Sequence, residues 1–381
     1  MKIIFLLTHV PNPRMYKRMR FLQRLGEIYV VCARRLNQNV FTVNDEDKIS
    51  HYIYDLDIPP SFQHINRYKA TRKFEKFAFD QLDKLSPDII YTAGIDMLSI
   101  ANRYSRYKDI RVIYEVADLR ECFIKCLGKS FVQKIIDVVL CCVERRLFKC
   151  VSLLLVTSMK FFDVHYVTFF PREKVLELPN MPEIYPFSSY KRKACGDKFV
   201  VGFIGCVRYI NQLKMLVDVA EKVDVNVFFA GVGSDYDQLE LEKYCKGKSW
   251  VKIMGKYDYA KDIANLYSMV DCVYSVYDAD NPNVRIALPN KLYESVYCEL
   301  PLIVAKNTYL SELVLRDQVG VAVDHKSKEE LKNALLKLKN DTIFYNICVD
   351  NCRIHKKDIN LGLYMDRLCL SVDSLYENQK K

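Results

Sequence analysis

The sequence predicts an α/β protein built as two doubly wound parallel-sheet domains. Three observations lead there. Short apolar runs of strand length alternate with helix-period segments in both halves of the chain. The 381 residues, half of them hydrophobic, suffice for two cores of ordinary size. Periodicity breaks over 182–197, where Pro182, Pro186, Ser188, Ser189 and Gly196 gather. The expected layout is a first domain over 1–185, a linker over 186–197, a second domain over 198–355 and a closing segment over 356–381. That segment carries an amphipathic helix from Leu361 to Leu375.

In the front half, Ile3-Ile4-Phe5-Leu6-Leu7 reads as a buried strand. His9 to Arg14, with Pro11 and Pro13, reads as a loop. A basic helix is expected from Met15 to Leu25, stopped by Gly26. Ile28–Ala33, Asp88–Ala93, Val112–Val116 and Leu153–Thr157 read as further strands. Asp118, just past one of them, suits a helix N-cap. Leu178-Pro179-Asn180 reads as a turn.

In the back half, Lys198–Ile204 reads as a strand ending at Gly205 and a basic loop with Arg208. A helical pattern follows at Leu213, Leu216, Val219 and Ala220. Val225–Ala230, Val251–Met254, Cys272–Tyr277 and Leu302–Ala305 read as strands, with helical segments between them. Gly231-Val232-Gly233 has Tyr236 where a dinucleotide fingerprint needs a third glycine, and it follows the second strand rather than the first. It reads as a strand-to-loop turn.

The most informative stretch is Leu288-Pro289-Asn290-Lys291-Leu292-Tyr293-Glu294, ahead of the apolar strand Leu302–Ala305. Pro289 fits the first position of a helix. The N–H groups of Asn290, Lys291 and Leu292 then lack helical partners, and such donors attract phosphate. Lys291 adds a full positive charge. Glu294, one turn on, has the oxygens to accept two vicinal hydroxyls. A phosphate site beside a diol acceptor describes a nucleotide-sugar pocket. The plainer reading is a Pro-capped surface helix ahead of a buried strand.

This segment resembles the donor-site motif of GT-B-fold glycosyltransferases, especially the large retaining class called family 4, the glycosyl transferases group 1. Arg208 and Lys214, six residues apart after a glycine-ended strand, match the family's Arg and Lys. The resemblance implies the GT-B fold: two Rossmann-like domains facing a cleft, with the last helix crossing back to the first domain. It implies a nucleoside diphosphate held by Gly205, Arg208, Lys214, Pro289, Asn290, Lys291, Leu292 and Glu294, with Lys256 and Tyr257 at the base. Arg208 and Lys214 would offset the charge that develops on the leaving diphosphate. Asp118 stands where the family faces the reacting sugar, a second reading beside the N-cap. The implied reaction moves a sugar from a nucleoside diphosphate sugar, as substrate and not cofactor, to a hydroxyl, with retention and without a bound metal.

The match has gaps. The first of the family's two acids is replaced by Ile286, with Asp278 and Asp280 upstream. His9, Asn12 and Arg14 occupy the loop where a Gly-Gly is usual. Two alternatives therefore stay open: a nucleotide-sugar epimerase, or a catalytically silent binding subunit on the same fold. The Asp-x-Asp triplets at 55–57, 235–237 and 278–280, in a chain with 47 acids, read as chance rather than as the metal sites of the GT-A fold.

Fourteen cysteines are expected as reduced thiols of a cytoplasmic protein. Cys122/Cys126 and Cys348/Cys352 lack the pairing of a zinc site. No run reaches the ~18 apolar residues of a membrane span, and the run after Lys2 is too short for a signal segment. Net charge is +10. Cations gather on the first helix (Arg14, Lys17, Arg18, Arg20, Arg24), between Arg67 and Lys76 among Tyr68, Phe74, Phe77 and Phe79, and between Lys125 and Lys149 among apolar residues. No nucleic-acid module accompanies them. The pattern fits helices lying on an anionic membrane surface, so the expected location is the inner membrane face and the expected acceptor is lipid-linked. The plainer reading is a solvated basic face over core helices.

Overall fold

Apolar runs buried on both faces place the strands, as a parallel sheet requires. The computed structural model describes residues 1–34, 49–56, 59, 63–119, 131–192 and 198–380. Its front half holds β1 (Lys2–Leu7), α1 (Pro13–Leu22), β2 (Glu27–Arg34), β3 (Ser50–Asp55), α2 (His64–Leu85), β4 (Ile89–Ala93), α3 (Ile95–Tyr104), β5 (Arg111–Val116), α4 (Phe131–Leu147), β6 (Val151–Val156), α5 (Met159–Val164) and β7 (Val175–Glu177). These strands form one parallel sheet in the order β3-β2-β1-β4-β5-β6-β7.

The back half holds β8 (Val200–Ile204), α6 (Ile210–Lys222), β9 (Asn226–Ala230), α7 (Asp235–Cys245), β10 (Val251–Ile253), α8 (Tyr259–Ser268), β11 (Cys272–Ser275), α9 (Pro282–Ile286), α10 (Asn290–Tyr297), β12 (Leu302–Ala305), α11 (Tyr309–Arg316), β13 (Gly320–Val323), α12 (Lys328–Asn340) and α13 (Thr342–His355). Its parallel sheet runs β10-β9-β8-β11-β12-β13. The chain closes on α14 (Leu361–Lys380).

Two compact units result: Met1–Pro179 with Gly362–Lys381, and Asn180–Leu361. The boundary falls at Pro179/Asn180, ahead of the expected linker at 186–197. Phe187 is the reason. It is 2% exposed and packs on Tyr267 and Tyr297 of the second unit. Tyr190 adds a hydrogen bond from its hydroxyl to the Cys298 carbonyl, 2.6 Å. In the first unit, Met365, Leu368 and Val372 of α14 are buried.

α1 starts two residues earlier than expected, because Asn12 caps it through the Met15 N–H (3.1 Å) and Pro13 takes the first turn. It also ends earlier, at Leu22. Gly26 serves close packing rather than helix termination: a Cβ there would stand 2.0 Å from the Met1 carbonyl oxygen. Phe74 and Phe77, expected at a surface, cluster instead with Tyr54. Arg67 and Arg72 pair with Asp96 and Glu75, which removes part of the expected basic surface. Cys122, Cys126, Lys125 and Lys129 lie outside the described residues. Cys348 and Cys352 are buried free thiols. Among the described residues no helix is long and apolar enough to cross a membrane.

Candidate functional site

The strand order of the second sheet reverses between β8 and β11. Open parallel sheets bind ligands beyond the strand carboxyl ends at such a switch point. Gly205 leaves β8 there with φ +136° and donates its N–H to the Ala230 carbonyl at 2.8 Å. A Cβ on Gly231 would lie 2.0 Å from the Gly205 oxygen, so these two backbones touch. The Gly231 N–H in turn donates to the Gly255 carbonyl, 2.7 Å. Three strand exits thus meet without side chains between them, which leaves room for a ligand to approach backbone.

α10 points into the same region. Pro289 is its N-cap rather than its first residue, and no side chain caps the helix. The Leu292 N–H, expected to be open, closes onto the Pro289 carbonyl at 3.1 Å. The first-turn donors left for a ligand are those of Asn290 and Lys291.

Lys291 is 7% exposed. Its Nζ donates to the Tyr277 hydroxyl at 3.0 Å and stands 4.1 Å above the centre of the Phe203 ring. A Cβ on Gly205 would lie 3.0 Å from that nitrogen. Among the described residues no carboxylate pairs with it. Ring faces and a phenol oxygen offset only part of the cost of burying an ammonium. The site therefore holds positive charge in want of an anion.

Glu294 is 4% exposed. Its Oε1 accepts from the Tyr259 hydroxyl at 2.7 Å and its Oε2 from the Tyr267 hydroxyl at 2.6 Å. Burial first, then the Glu294 charge, pushes both phenols upward, so they stay protonated donors. Each carboxylate oxygen keeps a second acceptor direction. The carboxylate is oriented and still able to take a diol. Tyr267 sits on the apolar stripe of α8 with Ile263, Ala264 and Leu266. A tyrosine within such a stripe is a signal that its hydroxyl needs a partner, but the sequence does not say which.

The remaining expected residues divide. Arg208 is exposed on the loop after β8. Tyr257, partly buried, is also pushed upward by burial and then by Glu294, which places it near that carboxylate. Lys256 is exposed beside it. Lys214 is turned elsewhere: its Nζ pairs with Glu240 of α7 at 3.0 Å and stands over the Tyr244 ring. Ile286 is buried at the end of α9. Asp278, Asp280 and His325 place ligand atoms within 4.8 Å of one another, and the Lys326 ammonium is already paired with Asp280.

Asp118 belongs to the other unit, exposed just beyond β5, and residues 120–130 that would decide an N-cap lie outside the described residues. The buried acid of that strand is Glu115, which sequence reasoning missed as a hub. It takes Arg14 Nε at 3.3 Å, Arg18 at 3.7 Å and the Tyr91 hydroxyl. Arg18 is fully buried and also donates to the Leu178 carbonyl at 3.1 Å.

The family model of the glycosyl transferases group 1 matches residues 198–341, the span that contains the second-unit residues described above. The succinoglycan biosynthesis protein ExoL of Rhizobium meliloti (strain 1021) is 22% identical over 267 residues, covering 65% of this chain and 63% of that protein. Sucrose-phosphate synthase from Thermosynechococcus elongatus superposes at a TM-score of 0.76 with 13% identity, covering 99% of this chain and 100% of that one. HepE of Anabaena, in complex with UDP, superposes at 0.71 with 16% identity, covering 98% and 100%. At such identities the structural likeness speaks to the fold, two parallel-sheet units of GT-B type. The chain is accordingly a protein of GT-B fold whose residues 198–341 match the family model of the glycosyl transferases group 1.

Proposed function

We propose that the protein is a glycosyltransferase that moves a sugar from a nucleoside diphosphate sugar to a hydroxyl acceptor, with retention of configuration, in cell-surface polysaccharide assembly. The observation that carries this reading is the buried Lys291 ammonium without a carboxylate at the switch point, one helical turn from the tyrosine-held Glu294. A diphosphate supplies the missing anion, and a ribose supplies the diol. The name of ExoL supports the polysaccharide setting, and the UDP in HepE supports a uridine donor.

In the reaction the bond from the sugar's anomeric carbon to the diphosphate oxygen breaks. A bond from that carbon to the acceptor oxygen forms, and the acceptor's hydroxyl proton passes to an oxygen of the departing diphosphate. Negative charge grows on the diphosphate. Lys291, Arg208 and the first-turn N–H groups of α10 are fixed or ready to meet it, and preorganised donors of this kind lower such barriers most. Lys214 joins them by exchanging Glu240 for phosphate. Asp118 contacts hydroxyls of the donor sugar. The acceptor is carried on a lipid diphosphate at the inner membrane face, and the cations of the first unit attract that surface.

A thermal-shift screen against UDP, GDP and their sugar conjugates tests the reading. A ligand at a hundredfold over its Kd stabilises by roughly 2.7 kcal/mol; no shift with any diphosphate sinks it. Two substitutions refine the outcome. Arg208→Ala is expected to weaken diphosphate binding about tenfold, the value of a charge-assisted hydrogen bond at a half-open site. Titration calorimetry reads this, and unchanged affinity removes Arg208 from the site. Glu294→Gln is expected to weaken ribonucleotide binding and to narrow the preference for ribo- over deoxyribonucleotide. An unaltered preference makes Glu294 a structural anchor for the two tyrosines only.

A further inference from the structure

α4 is built in reverse for a surface helix. Its acid Glu144 points inward, fully buried, where its carboxylate meets His165 Nε2 at 2.6 Å and accepts from the Tyr166 hydroxyl at 3.3 Å. Outward, Ile135, Val138, Val139 and Val143 are between 42% and 62% exposed, and Cys142 is exposed with them. The spacing 135, 138, 139, 142, 143 is one continuous helical stripe. An amphipathic helix normally turns that stripe to the core. Here the inward hold comes from a buried carboxylate, which leaves the stripe for a partner outside the unit.

The exposed charges beside the stripe, on α4 and the start of α2, are all positive. The exposed charges of α4 are Lys134, Arg145 and Arg146, while its other acid, Asp137, is half-buried. The first turns of α2 add the exposed Ile65, Tyr68 and Lys69. Between the two helices lies a groove of about 680 Å³, walled by Ile65, Ile135, Ile136, Val139 and Leu140, with Gln63 and Asn66 at the start of α2. A second copy of this face would set cations against cations, which a two-fold interface penalises. An anionic lipid surface offers both complements, hydrocarbon for the stripe and phosphate for the cations.

We propose that α4 and the start of α2 form the membrane-contact surface of this protein. α4 lies in the plane of an anionic bilayer with Val138, Val139 and Val143 toward the acyl chains, and one lipid chain enters the groove. This rests on the lipid-linked acceptor reading and specifies where the first unit meets the lipid.

The test is co-sedimentation with vesicles of phosphatidylglycerol and phosphatidylcholine at low and high salt, comparing wild type with Val138→Asn/Val139→Asn. Both positions are exposed, so unfolding temperature and diphosphate binding should be unchanged. The expected result is salt-sensitive binding of the wild type and a partition coefficient about tenfold lower for the variant. Equal binding of the two overturns this surface and leaves membrane attachment standing. No binding by the wild type removes membrane attachment and this surface together. A wild-type dimer that the substitutions convert to a monomer, by light scattering, makes the face an interface between copies and overturns the proposal. Val139→Trp supplies a second readout: quenching of its emission by brominated acyl chains is expected, and an unquenched signal on bound protein overturns the placement.

Discussion

Lys291→Met is expected to weaken nucleoside diphosphate binding by roughly 10- to 150-fold, the equivalent of about 1.5–3 kcal/mol for a hydrogen bond to a charged group. The upper end is favoured because the ammonium is 7% exposed and fixed in place by Tyr277 and Phe203 before any ligand arrives. The same substitution should leave the ligand-free protein as stable as before, or more so. A buried cation with no carboxylate partner is a cost to the folded state, and an unbranched thioether fills the space beside a ring without that cost. The pair of results separates function from packing. Titration calorimetry with whichever diphosphate binds the wild type, alongside thermal unfolding without ligand, reads both. Lost stability with unaltered affinity would make Lys291 a packing residue and remove the main support for a diphosphate at this place.

The second large effect lies in the first unit. Glu115→Ala should destabilise that unit by about 3–5 kcal/mol, the cost of leaving a buried charge without its partner. Arg18 is fully buried, and it also donates to the Leu178 carbonyl and, at 3.9 Å, to the Met365 sulfur. Glu115 also holds the Tyr91 hydroxyl, so a phenol loses its acceptor as well. Arg18→Met/Glu115→Leu should recover much of the loss, since no lone charge is then left inside. A chain of two units need not unfold in one step. Amide hydrogen exchange on β1, β4 and β5 is therefore the measurement. Protection in the single variant within about 1 kcal/mol of wild type would show that Arg14 and Arg18 do not depend on Glu115.

The strands most easily read were those buried on both faces. β1, β8 and β12 are nearly unbroken apolar runs, so their burial is written into composition. β3, with the sequence SHYIYD, lies at a sheet edge and mixes polar with aromatic residues, so no apolar run announces it. β7 is three residues ending on Glu177, and β13 opens on Gly320, so neither presents an unbroken run of large apolar side chains. The division between the compact units falls ahead of the irregular segment for a related reason. Proline and serine marked 182–197 as irregular, but an irregular backbone still packs when Phe187 supplies an anchor.

Within the candidate site, the residue types were legible and the partners were not. Pro289, Asn290, Lys291 and Glu294 lie within one six-residue stretch, and a helix start followed by an acid one turn later is a local property that spacing alone determines. Gly231 was legible as a turn for the same reason. Lys214 shows the limit. Its spacing from Arg208 is local, but its ion pair with Glu240 depends on how α6 lies beside α7. Tyr259 and Tyr267 reach Glu294 across 35 and 27 residues. The outward valines of α4 carry the same helical period as a core stripe, so only packing could say which way they face. By itself the sequence determined the alternation of strands and helices, the two cores and the helix start at Pro289 with its lysine and its acid one turn on, because these follow from burial and backbone geometry over a few neighbouring residues. Tertiary structure alone decided that Lys291 is buried with no carboxylate partner among the described residues, that Glu294 is held by two phenols and that α4 turns its acid inward. Each of these depends on which distant side chain arrives to satisfy a charge, and one-dimensional spacing carries no record of that.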